Sequence, residues 1–238
     1  MTHEGSELSE EDLKQLKQYW YNRWKEGFSW LDMANTLKTS ADTIHEELLA
    51  ADQRFIQNIW KNSEVKQDDE GIKVRTKGDI LSYGDSEMGL YPMYMSQVGY
   101  ALENLFKGII ICGMWLDNPK SIDDLNDFQA LFFPIKGNTT QKPRTIITHD
   151  LIALLAAKDI SLKIGKEKKK VLIKLIDFIL WGGRYPVPLK LDTGDPIVMR
   201  VMAPYDEPEE HEMIEKIYQT AKTELARLSA LQRVRRPD

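Results

Sequence analysis

The stretch from Tyr91 to Trp115 constrains this chain more than any other. Tyr100, Leu102, Leu105, Phe106, Ile109, Ile110 and Cys112 spread over most of the circumference of a helix, and Glu103 and Lys107 are the conspicuous interruptions. Pro92 suits the first turn, where a missing N–H costs nothing. A helix that is apolar on nearly every side has to be surrounded by other elements. Its most apolar part, from Ile109 to Leu116, is far shorter than the ~20 residues a membrane span requires. The spacing therefore predicts the central helix of a bundle.

The remaining segments supply helices of the one-sided kind that could surround it. Ser9 followed by Asp12 predicts a capped helix start, with Leu13, Leu16, Trp20 and Trp24 recurring at helical spacing until Gly27. A second helix is predicted from Ser40, with Ile44, Leu48, Ala51, Phe55, Ile56 and Ile59 as its buried stripe. Residues 62–89 are polar and glycine-containing; they read as a loop or a short hairpin, since Ile72–Thr76 alternates weakly. Ser121 with Asp124 repeats the capping pattern before a shorter helix to about Phe133, and Thr148 is expected to cap a helix from His149 to Lys158. After Gly165 comes a strongly periodic helix with Val171, Leu172, Leu175, Ile176, Ile179 and Leu180 expected to be buried. It stops at Gly182-Gly183, and Pro186 and Pro188 then enforce an extended segment. A last helix runs from about Pro208 to Arg233, acidic at its start and basic at its end, as the helix dipole favours. The fold class expected is all-α, a helical bundle with irregular connectors.

Composition narrows the function classes. Hydrophobic residues make up 42% of the 238 and charged residues 29%, which excludes a disordered or fibrous chain. Cys112 is the single cysteine, so an internal disulfide is impossible and a cysteine zinc site lacks ligands; a buried core thiol is expected. The acidic, polar start MTHEGSELSEED is unlike a signal peptide, and a cytoplasmic location is expected. Net charge of −5 argues against indiscriminate coating of nucleic acid. Between Lys136 and Lys190, however, twelve basic residues face four acidic ones, a local excess of +8. Within it, Lys168, Lys169 and Lys170 could meet phosphates or form a solvated helix start.

No nucleotide-binding loop, zinc-protease helix or serine-hydrolase elbow occurs, and no metal or organic cofactor is implied. Nothing in the motifs requires an enzyme. His3 and His211 lie among polar, acidic residues and are expected at the surface; His45 lies within the second helix, exposed or satisfied. His149 follows a loop carrying Lys142 and Arg144, and two readings are open. A helix N-terminus disfavours imidazolium, so a neutral His149 there can serve as a general base; it can equally hold the helix start by packing or hydrogen bonding. Glu103 and Lys107, four apart, form an intrahelical ion pair or place Lys107 in a groove with His149. Arg184 and Tyr185, between a double glycine and prolines, can bind phosphate and stack a base, or clasp the preceding helix end.

The segment YALENLFKGIII, then THDLIALL, then a helix ending in WGGRYPVP, resembles the HEPN superfamily (higher eukaryotes and prokaryotes nucleotide-binding). The similarity covers roughly Tyr91 to Pro188. It implies a bundle of four to five helices that often dimerises, here with extra N-terminal helices and a C-terminal helix. On that basis residues 1–75 form an N-terminal helical region and residues 76–238 the HEPN-like bundle with its C-terminal helix. The resemblance implies an RNA- or nucleotide-binding protein of a prokaryotic defence or toxin–antitoxin type. If it is an enzyme, the activity implied is a metal-independent endoribonuclease. In the ribonuclease branch an Arg and a His separated by four to six residues form the site, and Arg144 and His149 have four residues between them. His149 would then be the general base or acid and Arg144 the phosphate stabiliser. Lys107, Arg184, Tyr185 and the lysines at 168–170 would hold the nucleic acid. The alternative is a non-catalytic interaction or scaffold module that docks on a nucleotidyltransferase or a larger effector. The partners expected are thus RNA or a nucleotide, with a homodimer or another protein, and no membrane.

Overall fold

Helix α3 (Leu90–Asp117) carries buried residues from Tyr91 to Trp115 on all its sides, as its composition requires. The other elements are α1 (Glu10–Trp24), α2 (Gly27–Lys61), a hairpin of β1 (Ser63–Asp68) and β2 (Gly71–Thr76), α4 (Leu151–Leu155), α5 (Lys166–Asp177) with a π-helical turn at Phe178–Gly182, and α6 (Pro208–Arg235). Helices α2, α4, α5, the π turn and α6 pack on α3, and α1 packs on α2. The computed structural model describes residues 9–61, 63–68, 71–76, 90–118, 148–157, 159–182 and 208–235. The fold is an all-α bundle with one hairpin among the described residues, in agreement with the class expected. No described helix is long and apolar enough to cross a membrane.

The contacts fix the directions of the three long helices. Ring contacts join His45, in the middle of α2, to Tyr94 at the start of α3, whereas Gly27 at the start of α2 lies against Cys112 near the end of α3. These two helices therefore run antiparallel. Helix α6 runs parallel to α3, since Glu210 meets Tyr91 at one end and Ser229 meets Cys112 at the other. Ile214, Ile217, Tyr218, Ala221, Leu225 and Leu228 form the buried face of α6. The hairpin is antiparallel, with Val65 opposite Val74 and Asp68 opposite Gly71.

Two glycines mark places where neighbouring helices leave no room for a side chain. A Cβ on Gly108 would stand 2.8 Å from both Leu225 Cδ2 and Trp30 Cβ. A Cβ on Gly27 would overlap Cys112 Sγ and Ser229 Oγ. Gly27 thus does not merely end α1; it opens α2, which starts well before the Ser40 expected from sequence. The sequence in between keeps helical periodicity, with Leu31, Ala34, Lys38 and Ala41 buried on one face. Leu48 and Ala51 continue that face as expected, while the side chains of Phe55, Ile56 and Ile59 lie outside the described residues. The joint between α1 and α2 is held from α6: Gln232 Nε2 donates to Lys25 O at 2.9 Å, and Gly27 N donates to Gln232 Oε1 at 3.2 Å. Cys112, buried as expected, gives the same Oε1 a weak thiol donor at 3.7 Å.

Two further expectations are corrected. The residue that caps α4 is Asp150, not Thr148: its Oδ1 accepts from Ile152 N and Ala153 N, and Thr148 Oγ1 accepts only from Asp150 N. A carboxylate placed to take both donors wins over a hydroxyl two residues earlier, so the helix is Leu151–Leu155 and not His149–Lys158. Leu180 is exposed rather than buried. It lies inside the π turn at Phe178–Gly182, whose wider winding departs from the α-helical period, so Leu180 falls off the core face while Phe178 and Ile179 stay on it. Ser96 Oγ donates to Phe178 O at 3.1 Å and Tyr100 OH to Ile179 O at 3.2 Å, so α3 hydroxyls satisfy carbonyls of this wider turn. The helix expected from Ser121 lies outside the described residues, as does the segment 183–207 with its prolines.

Candidate functional site

A buried carboxylate organises the site. Glu103, on α3, is 5% exposed and accepts from Lys107 Nζ through Oε1 at 2.6 Å. Its other oxygen, Oε2, lies 2.8 Å from His149 Nδ1. The ion pair expected of Glu103 and Lys107 is present, and the opposite oxygen of the same carboxylate takes His149. The Asp150 cap, itself extended, fixes the backbone next to His149, which stands two residues before α4. Tyr100, one turn before Glu103 on α3, meets the imidazole edge-on at a centroid separation of 6.4 Å.

This arrangement sets the chemistry of the imidazole. A carboxylate only accepts, so Nδ1 must be the donor in the bond to Glu103. A neutral His149 then carries its lone pair on Nε2, which makes no hydrogen bond to a described residue. The His149 side chain is 39% exposed, against 7% for Glu103 and 12% for Lys107. The layout is a buried orienting carboxylate, a compensating ammonium and an imidazole that faces solvent, which is the arrangement that prepares a general base.

Lys168, Lys169 and Lys170 occupy the first turns of α5. Lys168 is half-buried and the other two are exposed, with Lys170 Nζ 2.7 Å from Glu167. Lys169 lines an open groove of about 610 Å³ with Ile152 and Leu155 of α4 and Lys163, so the lysine stretch borders the helix that follows His149. Arg144, Arg184 and Tyr185 lie outside the described residues. Among the described residues, no group of three His, Cys, Asp or Glu side chains is arranged to hold a metal ion.

Two polar clusters went unread in the sequence. His45 and His211 stack at 4.0 Å with their planes 2° apart, and Tyr94 OH shares a 2.7 Å hydrogen bond with His211 Nδ1. His45 is buried and His211 half-buried, so the surface position expected for His211 is corrected. A signal existed: His45 falls between Ala41 and Leu48, on the face that packs inward. Next to it, burial alone would lower the pKa of Lys38, but Asp42 and Glu215 outweigh that and hold it above the ordinary lysine value. Burial, reinforced by Glu215 and Asp42, pushes Tyr218 up to about 12, so its hydroxyl stays a donor, here to Asn35 Oδ1 at 3.0 Å. The second cluster joins Glu210 to Lys174 Nζ at 2.7 Å and Tyr91 OH at 3.0 Å, fastening α5 and α6 to the start of α3.

No protein-family model, no curated protein and no solved structure matches the chain.

Proposed function

We propose that the chain is an RNA- or nucleotide-binding protein of HEPN-like type, acting as a metal-independent ribonuclease with His149 as general base. The observation that carries the reading is the bond from His149 Nδ1 to the buried Glu103, which leaves Nε2 turned away from the carboxylate. The resemblance of residues 91–188 to the HEPN superfamily supports it, as does the basic excess that surrounds His149 in sequence. A prokaryotic defence or toxin–antitoxin role and a homodimer or protein partner belong to the same reading.

In the step proposed, Nε2 takes the proton of a ribose 2′-OH as its oxygen bonds to the adjacent phosphorus. The bond from phosphorus to the 5′-oxygen breaks, and the protonated imidazole or water returns a proton to that leaving oxygen. Arg144 stabilises the charge that builds on the phosphoryl oxygens. Lys168, Lys169, Lys170, Arg184 and Tyr185 hold the backbone and a base. Lys107 compensates the charge of Glu103 at the edge of the same site.

Cleavage of RNA by the purified protein in EDTA tests this, with wild type beside His149→Ala, Arg144→Ala and Glu103→Gln. Wild type should cleave under chelation and leave 2′,3′-cyclic phosphate ends, and the first two variants should lose activity. Glu103→Gln should slow cleavage by roughly ten- to a hundredfold, since it loosens the orientation of the base without removing it. Equal activity in all four proteins removes these residues from the site. A folded wild type that cleaves nothing turns the reading to a non-catalytic module docking on a nucleotidyltransferase or larger effector.

A further inference from the structure

Among the described residues, the hydrogen-bond and ring contacts of His149 come from Glu103 and Tyr100, which stand three apart on one face of α3. The bond from Nδ1 to Glu103 selects the tautomer and holds one atom of the ring. It does not hold the plane, because an imidazole fastened at one nitrogen can still turn about that bond and swing Nε2 with it. The His149 side chain is 39% exposed, so the surrounding packing is too open to fix the plane by itself. Tyr100 supplies the missing constraint. Its ring stands at 80° to the imidazole with the centroids 6.4 Å apart, inside the range of roughly 4.5–7 Å over which edge-to-face rings attract.

Tyr100 is in turn held from outside the site. Its hydroxyl donates to Ile179 O of the π turn at 3.2 Å. Gly99, the residue before it, lies so near that turn that a Cβ would stand 2.5 Å from Ile179 Cγ1. Ser96 Oγ donates to Phe178 O one turn earlier, and the side chains of Phe178 and Ile179 are fully buried. The π turn is thus a fixed wall against α3, and the Tyr100 ring is braced between that wall and the imidazole.

We propose that Tyr100 is a positioning residue: its ring, tied through its hydroxyl to the π turn, sets the plane of the His149 imidazole and so the direction of Nε2. The consequence for cleavage rests on the ribonuclease reading, whereas the orientation of the ring does not. A base swung away from its proton loses rate without losing substrate, so the effect falls on kcat and not on KM.

Nuclear magnetic resonance of the full chain labelled with ¹⁵N at histidine is the test, on Tyr100→Leu and Tyr100→Phe, with His149→Ala identifying the signals and circular dichroism checking the fold. Wild type should show a sharp Nδ1–H proton resonance for His149, protected by the bond to Glu103. Tyr100→Leu removes the ring, and the resonance should broaden or vanish through exchange with water. Tyr100→Phe keeps the ring and cuts the tie, so the resonance should persist with faster exchange than in wild type. On a 5′-labelled single-stranded RNA of mixed sequence, Tyr100→Leu should lower kcat about tenfold with KM unchanged, and Tyr100→Phe should recover most of that loss. A folded Tyr100→Leu whose resonance stays as sharp as in wild type would overturn the proposal, whatever its effect on cleavage. Should Tyr100→Leu not fold, Tyr100→Phe decides alone, and exchange no faster than in wild type would overturn the proposal. A wild type that cleaves nothing while the resonance still depends on Tyr100 removes the ribonuclease reading and upholds the positioning of the ring.

Discussion

Glu103 shows how much one residue can be asked to do. It is buried and receives donors from two neighbours, one of them a lysine that is itself largely buried. Removing one member of such a pair strands the other in a poor solvent. Glu103→Leu should therefore cost about 3 kcal/mol in a urea titration, while Glu103→Leu with Lys107→Met should recover most of that loss. If the double variant is as unstable as the single one, Lys107 does not depend on Glu103. The ion pair is legible from its spacing alone. That the same carboxylate also takes His149 is not, because the contact spans 46 positions and no local pattern encodes it. Titration adds a second expectation. Burial works to raise the pKa of Glu215, but hydrogen bonds from Gln219 and Lys38 and the charge of His211 hold it below the ordinary value of 4.5. A carboxylate depressed in the folded state contributes stability above that value and loses it as pH falls through the folded pKa. Glu215→Gln should thus flatten the acid limb of stability below pH 4.5. Lys38, held above its ordinary 10.5, contributes below that pH and loses its contribution as pH rises beyond it, so the same variant should also flatten the alkaline limb. A midpoint series across both limbs checks each sign.

At the level of elements, periodicity identified most helices, and its errors have identifiable causes. Gly27 looks like a stop because glycine commonly follows a helix end, yet here it is required by close approach to Cys112 and Ser229. Nothing local distinguishes the two uses. Gly27→Ala should destabilise by roughly 1–3 kcal/mol through overpacking, and Cys112→Ala in the same chain should restore part of it by making room. Denaturant midpoints of the two variants decide the matter; an unperturbed Gly27→Ala would mean that the joint yields easily. Leu180 fails for another reason: a helical period carries no information about a π turn, whose extra residue is stabilised by Ser96 and Tyr100 from α3. Asp150 prevails over Thr148 for a third, since both are good caps and the geometry of the donors decides.

Across the whole molecule, sequence patterns say which faces are apolar but not which helices meet. The surroundings of α3 could have been supplied by any of several amphipathic segments. The contacts give α6 a part that its position beyond the family-like segment did not suggest. It runs beside α3 with a continuous buried face, fastens the joint between α1 and α2 through Gln232, and anchors α5 through Glu210 and Lys174. The larger side chains on that face, at roughly 1.5–3 kcal/mol each, sum to on the order of 10 kcal/mol, comparable with the entire net stability of an ordinary domain. A chain shortened to end at Asp206 should therefore lose its cooperative thermal transition, leaving α3 exposed along one side. Adding a peptide of residues 208–235 should restore the sharp transition if the lost contacts are what matter. A shortened chain that still melts sharply would mean that α2, α4 and α5 enclose α3 without α6, and the bundle would then be smaller than its contacts describe.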